Sequence, residues 1–201
     1  MRSSRDRKLA TRGLAAFLAA LLAFMGFSGR ARADELSATQ QSLLFLRVLA
    51  YDRNLKARAD GTVSVAVIYR SGKAESEQAR EALLGALEEI SKKVSVAGLP
   101  IRVTAVEFTS PGAVEGKLRS MHASAVYVCP GLADATSALA QVTRKHSILS
   151  GTAVESAVRS GLSVGVVARE GKPGILINLP AARAEGADLD AALLRLAEVI
   201  K

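Results

Sequence analysis

Short runs of β-branched and apolar residues alternate with helix-forming segments along most of this chain. Residues 62–69 (TVSVAVIY) are rich in valine and isoleucine, which predicts a strand that ends at the turn Arg70-Ser71-Gly72. Residues 75–93 then place apolar side chains on one face of a helix. Residues 123–129 (ASAVYVC) form a continuous apolar run, which is typical of a strand covered on both faces. Strands that alternate with helices predict a mostly parallel sheet with right-handed crossovers.

The same alternation continues to the carboxyl end. Two strands at residues 163–168 and 174–179 are separated by Arg169-Glu170-Gly171-Lys172-Pro173, which indicates an antiparallel hairpin. A last helix is predicted over residues 189–200. The expected fold class is therefore α/β. It is a single Rossmann-like domain with a mostly parallel sheet of about six strands, helices on both faces and a C-terminal antiparallel hairpin. The remaining predicted strands are residues 101–108 and 147–150, and the remaining predicted helices are residues 40–50, 111–120, 132–144, 154–159 and 181–185.

The first 33 residues have the three-part pattern of a secretory signal peptide. A basic segment precedes 14 uncharged apolar residues, 14–27, and Ala31-Arg32-Ala33 supplies a small-x-small cleavage motif before Asp34. Spanning the hydrocarbon core takes about 20 apolar residues, so this run is too short for a stable membrane anchor. We expect a signal peptide at 1–33, cut between Ala33 and Asp34, and a periplasmic domain at 34–201 with no membrane span after cleavage.

Removal of this segment changes what the charge implies. The whole chain has 27 basic and 19 acidic residues, a net charge of +8. Seven of the basic residues and one acid lie in residues 1–33, which leaves 20 basic and 18 acidic residues, or +2. The chain also has three tyrosines, no tryptophan and no basic–aromatic stripe, so nucleic acid is not an expected partner.

Motifs for phosphate binding and catalysis are incomplete. The turn at Ser71-Gly72 lies between a strand and a helix, where phosphate loops occur, but Val67 and Ala74 replace the glycine and the hydroxyl residue that a P-loop needs. What remains is the general tendency of strand ends in open α/β sheets to bind small anions. The candidate small-ligand loop residues are Ser71, Gly72, Gly131 and Gly151.

His122 and His146 have no partner at metal-ligand spacing, so no metal site and no cofactor are predicted. Cys129 ends an apolar strand, where a cysteine is usually a small buried hydrophobe, although Cys129-Pro130-Gly131 precedes a helix that could activate a thiol. The sequence predicts no enzyme.

Three segments resemble the YfiR/HmsC-like family (DUF4154-type small periplasmic α/β proteins). Residues 174–186 (GILINLPAARAEG) are similar to the family's INL-x-AA-R passage, and residues 193–197 (LLRLA) are similar to its closing LL-x-LA helix. Residues 118–128 are placed like its strand before the central helix, and residues 40–51 like its first helix. The chain lacks the family's aromatic NF-x-KF-x-x-WP passage and has a single cysteine, which makes it a divergent member.

The resemblance implies a non-enzymatic regulator that binds the periplasmic sensor part of an inner-membrane diguanylate cyclase and so controls cyclic-di-GMP. The terminal hairpin offers a surface for that partner, at Ile175, Leu176 and Ile177, unless the sheet's helices cover both of its faces. Self-association into a homodimer through the same surface is a second use. The alternative function is that of a single-lobe periplasmic protein that binds a small ligand at its strand ends.

Overall fold

The structure is a computed structural model that describes residues 36–201. The predicted signal peptide, with its cleavage residues Ala31, Ala33 and Asp34, lies outside the described residues. The helices are α1 (Ala38–Ala50), α2 (Leu55–Arg58), α3 (Ala74–Ser91), α4 (Pro111–Ser120), α5 (Thr136–Lys145), α6 (Glu155–Arg159), α7 (Leu179–Ala184) and α8 (Ala191–Leu194). The strands are β1 (Val63–Tyr69), β2 (Ile101–Glu107), β3 (Ala125–Val128), β4 (Leu149–Thr152), β5 (Val164–Arg169), β6 (Lys172–Asn178) and β7 (Glu198–Ile200).

Seven strands form one sheet in the order β2-β1-β3-β4-β5-β6-β7. All neighbours are parallel except β5 and β6, which form the predicted antiparallel hairpin. Arg169 pairs with Lys172 across a two-residue turn in which Glu170 and Gly171 both have positive φ, 51° and 73°. That conformation matches the twist of a hairpin. The strand order changes direction at β1, which lies between β2 and β3, so the carboxyl ends of β1 and β3 border the topological switch point.

Helices cover both faces of the sheet, as the sequence predicts. Alternation along β1 sends Val65 and Val67 into a core with α1 and α3, and sends Ala66 and Ile68 into a second core with α4 and α5. The central strands are therefore buried along their length. The α/β fold class is confirmed.

The predicted helix over residues 189–200 is wrong in its second half. Asp190 caps α8 by accepting a hydrogen bond from the Ala192 N–H at 2.7 Å, but the helix ends at Leu194. Residues 198–200 then form β7, which pairs in parallel with the outer side of β6. Val199 and Ile200 are β-branched and pair with the outer side of β6, which no other strand occupies. Sheet pairing there is more favourable than the helix that the periodicity predicts.

Candidate functional site

The predicted ligand loop lies at the switch point, but the chain's own carboxylates occupy it. Glu77 Oε1 accepts a hydrogen bond from the Gly72 N–H at 3.0 Å and lies 3.4 Å from the Ser71 hydroxyl oxygen. A Cβ atom at Gly131 would lie 3.1 Å from Glu75 Oε1, which places a second carboxylate beside that loop. Backbone N–H groups that could bind an anion therefore face negative charge, and the arrangement disfavours phosphate or another anion.

Gly151 does not join the other three residues. It lies inside β4, where a Cβ atom would be 2.3 Å from Cε2 of the Phe45 ring. The cavity beside Gly131, between the carboxyl ends of β3 and β4, has a volume of about 80 Å³. Small-molecule sites usually measure about 300–1,000 Å³. The predicted loop therefore does not form a pocket for a small ligand of ordinary size in this conformation.

Cys129 has the environment of a structural cysteine. Its side chain is buried in the core below α1 and α3, and burial raises the pKa of its thiol to about 12, although the charge of Arg80 acts in the opposite direction. His122 and His146 border a groove at the amino ends of the strands, whereas Cys129 follows the carboxyl end of β3. His146 Nε2 lies 2.7 Å from Glu115 Oε1. The thiol and the imidazoles therefore do not form a nucleophile–base pair.

Metal-binding groups do not converge either. Across residues 36–201, no group of three or more histidine, cysteine, aspartate or glutamate side chains is placed to hold an ion. None of the helices in that range combines the length and the apolar composition needed to cross a bilayer.

The residues proposed for partner contact lie on β6, between β5 and the edge strand β7. Leu176 and Ile177 have no exposed surface; Leu176 packs with Val158 and Val167, whereas Ile177 belongs to the core beneath α1. Ile175 is half-buried. Because β7 covers the outer side of β6, this strand does not present an open edge, and Leu176 and Ile177 are not available to a partner in this conformation.

The segment that carries the family resemblance instead has a structural role. Asn178 caps α7: its side chain accepts a hydrogen bond from the Ala181 N–H at 3.1 Å and donates one to the Val158 carbonyl oxygen at 2.9 Å. Ala181 and Ala182 are buried where α7 packs on the sheet. The INLPAA sequence therefore encodes a strand end, a helix cap and a close contact.

Glu185, at the end of the same segment, is a fully buried carboxylate that sequence analysis missed. It accepts hydrogen bonds from the Thr143 hydroxyl at 2.6 Å, from the Ser150 N–H at 2.8 Å and hydroxyl at 2.7 Å, and from the Ser163 hydroxyl. Burial raises the pKa of Glu185, and these hydrogen bonds act in the opposite direction. The partners come from α5, β4 and the entry to β5, so no local sequence pattern marks the cluster.

A second buried polar cluster joins residues 52–58 to residues 147 and 188. Asp52 pairs with Arg58 and accepts hydrogen bonds from the backbone N–H groups of Asn54 and Asp188, at 3.0 and 2.9 Å. Arg58 also donates to the Ser147 carbonyl oxygen at 2.7 Å. The side chain of Asp52 has no exposed surface, and that of Arg58 is 11% exposed. Both clusters connect segments that are distant in the sequence.

Another open groove lies beside the edge strand β2, between β2 and α4. It has a volume of about 420 Å³. β2 is the outermost strand there, and Arg102, Thr104 and Glu107 are exposed along it. The groove is lined by Thr104, Ala105, Val106, Glu107, Thr109, Ala113, Lys117, Ser120 and Met121.

The family model described as DUF4154, YfiR/HmsC-like, matches residues 77–198, which is more than half of the chain. The chain belongs to the YfiR/HmsC-like family. Members of this family are periplasmic regulators rather than enzymes. The match includes the INLPAA segment, α4, β2 and the hairpin, so the Glu185 cluster and the β2–α4 groove lie within the matched residues, whereas Asp52 and Arg58 precede them. No curated protein sequence matches the chain.

Solved structures support the fold alone. The ABC domain in complex with L-Trp from Streptococcus pneumonia has a TM-score of 0.55 and 17% identity, over 83% of this chain and 63% of its own. A conserved domain protein from Vibrio cholerae has a TM-score of 0.59 and 16% identity, over 83% and 61%. The ligand-free, open structure of CD0873, a substrate binding protein with adhesive properties from Clostridium difficile, has a TM-score of 0.52 and 16% identity, over 74% and 57%. This chain therefore spans about six-tenths of the length of these α/β proteins.

Proposed function

We propose that this protein is a periplasmic repressor of an inner-membrane diguanylate cyclase. It is exported by a signal peptide cut after Ala33, and it acts by contact with the periplasmic sensor part of the cyclase. Membership of the YfiR/HmsC-like family is the observation that carries this proposal. The buried state of Cys129, and the position of both histidines at the opposite end of the strands, favour a binding role over a catalytic one.

The single-lobe ligand-binding alternative has less support from the structure. The chain spans about six-tenths of its substrate-binding-like structural neighbours, and the cavity at its switch point measures about 80 Å³. Glu75 and Glu77 also place negative charge around the loop that would bind an anionic ligand.

Deletion of the gene in its host, followed by measurement of cyclic-di-GMP, tests the proposal. Loss of a repressor raises cyclic-di-GMP, and expression of the wild-type chain in the deletion strain restores the original level. Crosslinking in the envelope should recover an inner-membrane protein with a cytoplasmic cyclase domain. An unchanged cyclic-di-GMP level in the deletion strain would contradict the proposed function.

A further inference from the structure

The two edges of the sheet differ in how well they are protected against pairing with another strand. At one edge, β7 has three residues, and Glu198 within it pairs with Arg169 at 2.9 Å. At the other edge, β2 has seven residues, contains no proline and pairs with β1 in unbroken register from Ile101 to Glu107. Proteins usually shorten, bend or charge an edge strand because its open backbone is a template for another strand. β2 carries two exposed charges, Arg102 and Glu107, but it is neither short nor interrupted by a proline.

Hydrogen bonds at the two ends of β2 show which backbone groups are open. Val63 N–H donates to the Pro100 carbonyl oxygen at 2.9 Å, and Phe108 N–H donates to the Tyr69 carbonyl oxygen at 2.7 Å. Because alternate residues of a strand direct both backbone groups to the same side, the even-numbered residues of β2 face β1. The odd-numbered residues therefore direct their N–H and C=O groups outward. These residues are Ile101, Val103, Ala105 and Glu107.

The groove beside this edge gives a docked strand a side-chain contact surface. Val106 packs with Val114 and Leu118, so the even-numbered face of β2 is the face that α4 covers. A strand added outside β2 would lie along α4 and contact Ala113 and Met121, which line the groove. An edge strand beside a helix is a recurring geometry for binding an extended peptide.

The exposed charges beside β2 indicate which kind of peptide the groove would bind. Arg102 and Lys117 are exposed on the α4 side of β2, and within residues 36–201 neither forms a salt bridge. Glu107 is the carboxylate among the groove residues and lies at the carboxyl end of β2. We infer that the cyclase partner docks an extended segment on β2 by strand addition, with an acidic side chain toward Arg102 and Lys117. The identity of the partner rests on the proposed function, whereas the capacity of the edge to bind a strand is tested independently of it.

A synthetic peptide tests that capacity. The probe is an acetylated and amidated heptapeptide in which valine alternates with threonine and one aspartate lies near an end. It is titrated into ¹⁵N-labelled protein purified from the host envelope. We expect shifts at the amides of the odd-numbered β2 residues and of α4, and about threefold weaker binding when lysine replaces the aspartate. No shift at β2 with millimolar peptide, or shifts confined to another surface, would overturn the inference.

Ala105→Pro is the sharpest variant because it removes an outward N–H without removing a bond to β1. We expect peptide binding to be lost while the far-ultraviolet circular dichroism is unchanged. If this variant does not fold, Lys117→Glu replaces it: binding of the aspartate peptide weakens and binding of the lysine peptide improves. Lys56→Glu, an exposed substitution on α2, is the matched control and leaves the binding of the aspartate peptide and of the lysine peptide unchanged. If the wild-type protein binds no peptide but forms a dimer that Ala105→Pro abolishes, the β2 edge binds a second copy of this chain, and the inference is overturned.

The same variant separates this inference from the proposed function in the host. We expect folded Ala105→Pro to raise cyclic-di-GMP as far as deletion does. If deletion raises cyclic-di-GMP but Ala105→Pro represses it normally, the docking inference is wrong and the proposed function stands. If deletion has no effect, the proposed function is wrong, and the peptide titration alone decides whether β2 accepts a strand.

Discussion

Gly151 is the position where the smallest substitution should have the largest effect. Its α-carbon in β4 faces the ring of Phe45, and an added Cβ would lie 2.3 Å from Cε2 and 2.7 Å from Cδ2. The ring has no room to turn aside, because Phe45 is fully buried and lies edge-on to Tyr127 with ring centroids 5.2 Å apart. A hydrogen bond from the Tyr127 hydroxyl to Gln41 Oε1, at 2.9 Å, holds that second ring in place. Gly151→Ala must therefore displace α1 from the sheet or distort β4.

We expect Gly151→Ala to lower the free energy of unfolding by about 3 kcal/mol, the upper part of the usual range for overpacked cores, because two aromatic rings resist the shift. For a domain of this size that corresponds to a decrease in Tm of about 6–12 °C. Urea unfolding followed by circular dichroism measures the effect at constant m-value.

Gly85→Ala is the matched control. Gly85 lies inside α3 with open space around the position of its Cβ, so the same substitution should stabilise the protein by about 1 kcal/mol. Phe45→Leu combined with Gly151→Ala should be at least about 1 kcal/mol more stable than the sum of the single effects predicts, since the smaller side chain relieves the clash. A Gly151→Ala protein as stable as wild type, or strictly additive effects in the pair, would refute this reasoning.

Three further predictions concern buried polar groups. Burial raises the folded-state pKa of Glu185 above its unfolded value of about 4.3. The contribution of Glu185 to the free energy of unfolding is therefore complete below that value and is lost as pH rises through the folded pKa. Urea unfolding from acid to neutral pH should show wild type losing stability relative to Glu185→Gln, and parallel pH profiles would contradict this. Cys129, with a pKa of about 12, should react with a thiol reagent at pH 8 only after unfolding, since about one thiol in ten thousand is then ionised; rapid native labelling would show that the thiol is accessible. Arg58→Met leaves the buried Asp52 carboxylate without its cation and should cost about 3–5 kcal/mol in chemical denaturation; a loss below about 1 kcal/mol would mean that water reaches Asp52.

Local patterns predicted most of the elements because their causes are local. The β-branched run of β1, the capped helix α4 and the hairpin turn at Glu170-Gly171 each depend on neighbours within a few residues. β7 was missed because Val199 and Ile200 become a strand only where β6 offers an open edge. The burial of Leu176 and Ile177 in the hairpin depends in the same way on distant elements, because β7 pairs with the outer side of β6.

The sequence by itself determined the fold class, the hairpin and the family, because hydrophobic period, turn chemistry and the INLPAA segment are encoded in contiguous residues. Only the tertiary structure decided what those residues face. It buried Glu185 among hydroxyl groups from three elements, paired Asp52 with Arg58, placed Glu77 over the predicted ligand loop, and left β2 at an open edge. Each of these results depends on strand order and on contacts between distant parts of the chain, and the periodicity of a single segment carries no information about either.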